Sequence, residues 1–284
     1  MKDPAAFIEA TVRAFLASPE NNIGSGTDEP AWADPLIGYS SGADPLYAFY
    51  KRDIGDFYQL PIDFFRHSYP RTDARAEELV IVSWILPQTE ATKRDQRKET
   101  CWPSERWART RIHGEEVNDR LRTHLVRLLN ENDIEAVAPQ LSDLWSSKRS
   151  EKYGHASTWS ERHAAYAAGL GTFGLSDGLI TPKGKAHRCG SVIVRTAMSP
   201  SVRPYTDRHA YCLFYSKGIC GTCIGRCPVG AISVNGHDKE KCATYVNLSH
   251  KYVETHYGFK GYGCGLCQTG VPCESGIPSG IVPR

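Results

Sequence analysis

The chain of 284 residues is 40% hydrophobic and 23% charged, enough apolar material for one large or two modest cores and too much for a disordered polymer. Its 34 basic and 32 acidic residues leave a formal charge of only +2, so no global field draws it to nucleic acid. No apolar stretch approaches the roughly 20 residues needed to cross a bilayer. The first segment has neither a signal-peptide core nor a twin-arginine pair, so a cytoplasmic protein without a membrane partner is expected.

In chain order, residues 1–22 predict an amphipathic helix with Phe7, Ile8, Thr11, Val12, Phe15 and Leu16 on one face. Residues 30–65, rich in Gly, Pro, Asp and aromatics, predict an ordered loop region. LVIVSWIL at 79–86 predicts a buried strand, 103–130 a helix or helix pair, and 134–137 and 191–194 two further strands. Ser160 opens a short helix that Gly169 closes. The ten Lys or Arg between Lys93 and Arg127 are mixed with six acids, which predicts a solvated helical face. Trp102, Trp107 and Trp159 suit either a pocket wall or a core. The alternation of apolar runs and helical periods places residues 1–200 in an α/β (α+β) layered domain. Beyond residue 200 the chain turns to Gly, Cys, Pro and Tyr, as expected where an inorganic group replaces part of a hydrophobic core, so 201–284 is read as a second domain.

Ten cysteines are the outstanding compositional feature, and eight of them lie between Cys212 and Cys273. A cytosolic chain uses such clusters for metal or redox chemistry more often than for disulfides. The run is Cys212-x7-Cys220-x2-Cys223-x3-Cys227-Pro228, then Cys242, then Cys264-x2-Cys267-x5-Cys273. C-x3-C-P is the exit signature of bacterial two-cluster ferredoxins, in which the cysteine before proline ligates the other cluster. On that logic Cys212, Cys220, Cys223 and Cys273 hold one [4Fe-4S] cluster, and Cys227, Cys242, Cys264 and Cys267 hold a second. Cys101 and Cys189 remain over, with Cys189 an alternative to Cys212. Two structural zinc sites would accept similar sets of four thiolates.

Three segments read together carry a family resemblance: SERHAAYAAGLGTFGL with LITPKG at 160–184, CGTCIGRCPVGAIS at 220–233, and KCATY at 241–245 followed by GCGLC at 263–267. They resemble the epoxyqueuosine reductases and corrinoid-dependent reductive dehalogenases. The resemblance implies a nitroreductase-like domain holding cobalamin, followed by a ferredoxin-like domain whose two [4Fe-4S] clusters reduce the cobalt. It also implies that Ser160, Glu161, Arg162, Gly169, Gly171, Thr172, Gly174 and Leu175 line the cobalamin site, and that the corrinoid is base-off. The nearest approach to a cobalt-ligating motif, Asp207-Arg-His209, lacks its glycine. The family's catalytic aspartate falls on His155. His155 and Tyr153 are therefore the expected proton donors, because reductive cleavage leaves a carbanion-like centre to protonate, and Arg162 is the expected anchor for an anionic substrate or cofactor. The chain stops eleven residues after Cys273, where epoxyqueuosine reductases continue into helical repeats, so tRNA is not an expected partner.

Gly169-Leu-Gly171-Thr-Phe-Gly174 also matches the dinucleotide fingerprint, but it closes a helix where that fingerprint must open one. The combined expectation is an oxidoreductase fed by an external ferredoxin or flavodoxin and acting on a small molecule. A cluster-only electron-transfer protein and a cobalamin-reducing protein are the alternatives.

Overall fold

The structure, a computed structural model, describes residues 3–24 and 27–281. Two long strands organise it, β1 (Leu36–Ser41) and β2 (Leu79–Pro87), and all nine residues of β2 are buried. A strand buried on both faces needs cover on both, and the period of two divides the covering. Val80, Val82, Trp84 and Leu86 join one apolar cluster, while Leu79, Ile81 and Ile85 join the other. Strand β3 (Ala136–Val137) and the short hairpin strands β4 (Ser147–Ser150), β5 (Gly154–Ser157), β6 (Thr172–Phe173) and β7 (Leu179–Ile180) precede β8 (His187–Arg195). The main sheet has the order β1-β2-β8-β3, antiparallel at every pair. The mixed helix and strand class is the expected one. The strand expected at 191–194 runs over nine residues, because β8 pairs with the whole of β2 from Leu79↔Arg195 to Pro87↔His187.

Helices α1 (Pro4–Ala17), α2 (Pro45–Ile54), α3 (Pro61–Ser68), α4 (Glu90–Lys98), α5 (Glu105–Asn130) and α6 (Glu161–Ala167) surround the sheet. α1 buries Ile8, Thr11, Val12, Phe15 and Leu16 as its periodicity requires, capped by the Asp3 carboxylate on the Ala6 amide. It stops at Ala17 rather than Asn22, since Ser18 turns back to the Phe15 carbonyl through both amide and hydroxyl and Pro19 follows. Met1 and Lys2 of the expected helix lie outside the described residues. With α5, a single helix, α1 covers one face of the sheet. The opposite face takes α2, α3 and α6. Residues 30–65 are thus not a loop region: they supply β1, α2 and the start of α3. Pro45 and Pro61 stand at the first helical positions, where the missing amide costs nothing, and the Asp44 carboxylate caps Leu46.

After residue 200 come α7 (Leu213–Lys217), α8 (Thr222–Gly225), the hairpin of β9 (Ile232–Ser233) and β10 (Gly236–His237), and α9 (Lys239–Tyr257). Cys212, Cys223, Ile232 and Val271 belong to the same apolar cluster as Tyr47, Trp159 and Ile193. The cysteine-rich segment therefore packs against the α6 face of the sheet.

Candidate metal centres and the adjoining cleft

The eight clustered cysteines surround two separate spaces. Cys227, Cys242, Cys264 and Cys267 line a cavity of about 240 Å³. Cys212, Cys220, Cys223 and Cys273 line another of only about 20 Å³, whose thiols would have to part to admit an inorganic core. Cys101 is exposed, and Cys189 lies in β8 with its sulfur 3.7 Å from His187 Nδ1, outside the lining of either space. Among the described residues no three His, Cys, Asp or Glu side chains stand close enough to hold one metal ion. Burial, with neighbouring thiols adding to it, pushes Cys242 up to about 11 and Cys264 up to about 12. Four such thiols ionise together only if positive charge enters among them, which is what iron supplies.

Local sequence explains how the ligand loops are held. Cys227 follows α8 and precedes Pro228, while Cys242 sits in the first turn of α9, which the Asp238 carboxylate caps at Lys241. Cys264 and Cys267 flank Gly265, whose φ of +69° and place against the Trp107 ring leave no room for a side chain. Gln96 of α4 is fully buried; its amide donates to the Cys264 carbonyl at 2.8 Å and its oxygen accepts from the Ser104 amide at 2.8 Å. Arg226 donates to the carbonyls of Leu266 and Thr269, and Arg97 forks onto Glu274 beside Cys273. Replacing Gln96 by leucine orphans two buried backbone groups and is expected to cost about 2–4 kcal/mol. Chemical denaturation of purified protein measures that loss directly.

Lys185 went unnoticed in the sequence. It is 3% exposed, lines the smaller cavity and donates to Ser176 Oγ at 3.0 Å, and Ser176 lines the larger one. No carboxylate pairs with it among the described residues. Burial works against its charge, and the thiols of Cys273, Cys267, Cys223 and Cys212 raise its pKa in return. A buried ammonium needs a partner, and here the facing groups come from both cysteine sets.

The residues assigned to cobalamin do not frame one space. Ser160 stands at the N-cap position of α6 without a capping side-chain hydrogen bond, its hydroxyl going to His163 Nδ1 at 2.7 Å. Glu161 is turned inward to Ser191 Oγ at 2.5 Å and to Arg122 Nη2 at 3.3 Å. The Gly169 and Gly171 backbones approach other backbone closely, at Val202 and Ile180, where a Cβ would collide. The glycines thus do allow a close approach, but of protein to protein. Thr172 is fully buried and accepts from the Tyr211 amide. Gly174 and Leu175 line the smaller thiol cavity, and Arg162 lines the larger one while donating to the Asp177 carbonyl at 2.5 Å. The region above α6 is filled by Tyr47, Tyr50, Tyr58, Phe64 and Trp159 in mutual ring contact. These residues do not fit a corrinoid.

The expected proton donors also lie elsewhere. Tyr153, in the turn between β4 and β5, gives its hydroxyl to Asp53 at 2.7 Å; His155 on β5 faces Glu240 at 3.3 Å with 56% of its side chain exposed. Neither lines a thiol cavity. His209 bonds the Phe173 carbonyl. Of the three tryptophans only Trp107 walls the larger cavity: Trp159 is core, and Trp102 stacks between Tyr245 and Tyr252. The basic run is not all solvated face either, since Arg122 is 1% exposed among Glu115, Asp119 and Glu161. Helical spacing did not reveal this, because the carboxylate on α6 comes from a distant segment.

No family model matches the chain. In sequence it is similar to the epoxyqueuosine reductase of Staphylococcus aureus (strain NCTC 8325 / PS 47), 32% identical over 124 residues, which are 42% of this chain and 30% of the relative. In structure it is similar to a variant of the catabolic reductive dehalogenase NpRdhA, with a TM-score of 0.50 and 16% identity over 97% of this chain and 37% of that one. The epoxyqueuosine reductase of Bacillus subtilis aligns at a TM-score of 0.44 and 19% identity, covering 97% of this chain and 68% of that one. The matched segment thus spans less than a third of the curated relative, and the structural likeness is one of fold. Both are the likeness that the motifs carry.

Proposed function

We propose that this chain is an iron–sulfur oxidoreductase of the epoxyqueuosine reductase and reductive dehalogenase type, with residues 201–284 as its electron-carrying part. The observation that supports it is the division of eight thiols into two sets of four around two spaces, one set contributing the cysteine before Pro228 to the other's loop. Cys212, Cys220, Cys223 and Cys273 would hold one [4Fe-4S] cluster, and Cys227, Cys242, Cys264 and Cys267 the other. When bound, such clusters supply one-electron transfer at a potential set by nearby charge and exposure. The thiols of the Cys227 set range around a space that suits a core several atoms wide, whereas zinc would draw them to one point. Because Ser160, Glu161, Gly169, Gly171 and Thr172 pack against protein while Arg162, Gly174 and Leu175 divide between the two thiol spaces, no corrinoid enters this reading.

The chain's own side chains order the path. Cys220 follows the exposed Ile219, and on that side of the cysteine segment a ferredoxin or flavodoxin would deliver electrons. Lys185 and Ser176 stand between the two sets, and the Cys227 set opens toward a cleft with a largely apolar lining where a small-molecule substrate would lie.

The test is anaerobic reconstitution with iron and sulfide. About eight iron and eight acid-labile sulfide per chain are expected from two clusters, with EPR signals on reduction. The Cys227→Ser variant is expected to fall to about four iron and lose the signal of one cluster. Zinc without labile sulfide would overturn the proposal.

A further inference from the structure

The segment that carries the cysteines differs from the rest of the chain in charge. Residues 201–284 hold nine Lys or Arg against five Asp or Glu, whereas residues 1–200 hold 25 against 27. Between Asp207 and Asp238 there is no acidic residue, although Arg208, Lys217 and Arg226 fall there. Apolar exposure is concentrated in the same segment. Among the described residues seven large hydrophobic side chains stand exposed, and five of them, Val202, Tyr215, Ile219, Val234 and Leu248, come after residue 200. The proposed electron-carrying part is therefore the basic and apolar part of the surface.

These features meet over one cysteine set. Leu213 and Phe214 of α7 line the smaller thiol space together with Cys212, Cys220 and Cys223. The other side of the same segment is bare. Tyr215 is 45% exposed, Lys217 is exposed, and Ile219, 74% exposed, stands immediately before Cys220. Gly218 ends the helix at φ +68°, and this left-handed turn returns the Ile219 amide to the Leu213 carbonyl at 3.4 Å, which fixes the apolar tip against the helix. The exposed Arg208 extends the strip: its Nε lies 3.0 Å from His209 Nε2, and the His209 ring lies 4.1 Å from that of Tyr215. Among the described residues neither Arg208 nor Lys217 pairs with a carboxylate. The carboxylates that the strip faces are engaged elsewhere, Asp53 with Lys152 and Tyr153 and Asp177 with His237, while Asp207 accepts from the His209 amide at 2.7 Å.

An exposed apolar strip edged by unpaired cations suits an electron-transfer contact. Such contacts are small, charge steers the encounter, and a few apolar side chains hold it. A second copy of the chain does not suit the strip, because a two-fold contact sets the same cations against themselves. We propose that the strip formed by Arg208, Tyr215, Lys217 and Ile219 docks a small acidic ferredoxin, which delivers electrons singly to the Cys212, Cys220, Cys223 and Cys273 centre. One electron leaves the ferredoxin centre, which is oxidised, and enters this one, which is reduced, with no atom transferred. An iron–sulfur carrier matches that one-electron couple, and acidic residues around its centre match the cations. The proposal rests on the oxidoreductase reading above and names the surface through which its donor acts.

Stopped-flow mixing of reconstituted protein, of measured iron and sulfide content, with reduced plant-type ferredoxin tests the surface. Reduced methyl viologen serves as a small cationic donor that needs no docking site. Lys217→Glu and Arg208→Glu are each expected to slow reduction by ferredoxin about 10-fold at about 0.01 M salt, and the difference is expected to fade at about 1 M. Ile219→Ser is expected to slow it at both salt concentrations, and Arg71→Glu, at an exposed site beyond α3, to leave it unchanged. Reduction by methyl viologen is expected to be the same in all of them. Ferredoxin that reduces the Lys217, Arg208 and Ile219 variants as fast as the native protein overturns the surface, as does ferredoxin that fails to reduce native protein which methyl viologen reduces. Equal slowing with methyl viologen would mean that the substitutions act on the centre, which also overturns it. Faster reduction by a flavodoxin of equal charge would overturn the choice of occupant. If no clusters assemble, the oxidoreductase reading fails, and calorimetric titration of ferredoxin into that protein and its Lys217→Glu variant still decides the surface.

Discussion

Replacing Lys185 by methionine is expected to lower the reduction potential of both centres and to reduce the iron retained on purification. Among the described residues a single ammonium is buried, that of Lys185, 3% exposed between the two cysteine sets, with Ser176 as its hydrogen-bond partner. For a unit charge within about 8 Å, at an effective dielectric of about 20, Coulomb's law gives about 2 kcal/mol, or roughly 90 mV for a one-electron couple. Methionine keeps the volume and the flexible stem but removes the charge. A shift shared by both couples in a redox titration followed by EPR supports the bridging position, and a shift confined to one couple assigns Lys185 to that centre alone. Unmoved potentials would remove its electrostatic role. The apoprotein should respond in the opposite sense. Without anionic centres the ammonium is a buried charge lacking an opposite partner, so Lys185→Met is expected to stabilise the metal-free chain in denaturant while destabilising the loaded one.

The Gly265→Ala change is expected to empty the Cys227 set and leave the other intact. Gly265 has φ +69°, where a side chain costs about 1–2 kcal/mol, and its missing Cβ faces the indole of Trp107 on α5 at sub-contact range. Forcing a methyl group into a packed site adds about 1–3 kcal/mol. The whole of that strain falls on the turn joining Cys264 to Cys267. Iron per chain should therefore drop by about half, while the global unfolding midpoint falls by an amount corresponding to roughly 2–5 kcal/mol. A Gly258→Ala control shares the positive φ of +73° but meets nothing within 4 Å, so it should retain full iron. If both variants lose iron equally, backbone strain and not the Trp107 contact holds the turn.

Much of the fold was legible because it rests on local pattern. The apolar run 79–86, interrupted only by Ser83, read as a buried strand, the helical spacing of Val117, Leu121 and Leu125 marked one side of α5, and the apolar stripe from Ile8 to Leu16 marked the buried face of α1, although Ser18 and Pro19 end that helix at Ala17 and not at the expected Asn22. The stretch 30–65 was misread for a local reason too. Proline and aspartate were taken as breakers, although at the positions of Asp44, Pro45 and Pro61 they begin helices. The glycines at 169 and 171, expected to line a cofactor, lie instead against the Val202 and Ile180 backbones, a partner beyond the reach of any local pattern.

The sequence by itself suggested the cysteine grouping, with Cys189 left as an alternative to Cys212. Spacing within a chain decides which thiols can meet in one tight turn, and C-x3-C-P decides that one of them leaves for the neighbouring centre. Only the tertiary structure decided what faces those thiols. Gln88 at the end of β2, Arg111 on α5, Arg188 on β8 and Lys185 before it carry no shared spacing, and each looks like an ordinary surface or core position when read alone. They meet because antiparallel pairing sets the end of β2 beside the start of β8 at one end of the sheet, where residues of α5 and of the cysteine loops share a space with them. The tyrosines and Trp159 above α6 likewise declare that their space is filled only once α2, α3 and α6 are assembled, since close packing is a property of facing surfaces and not of any one segment.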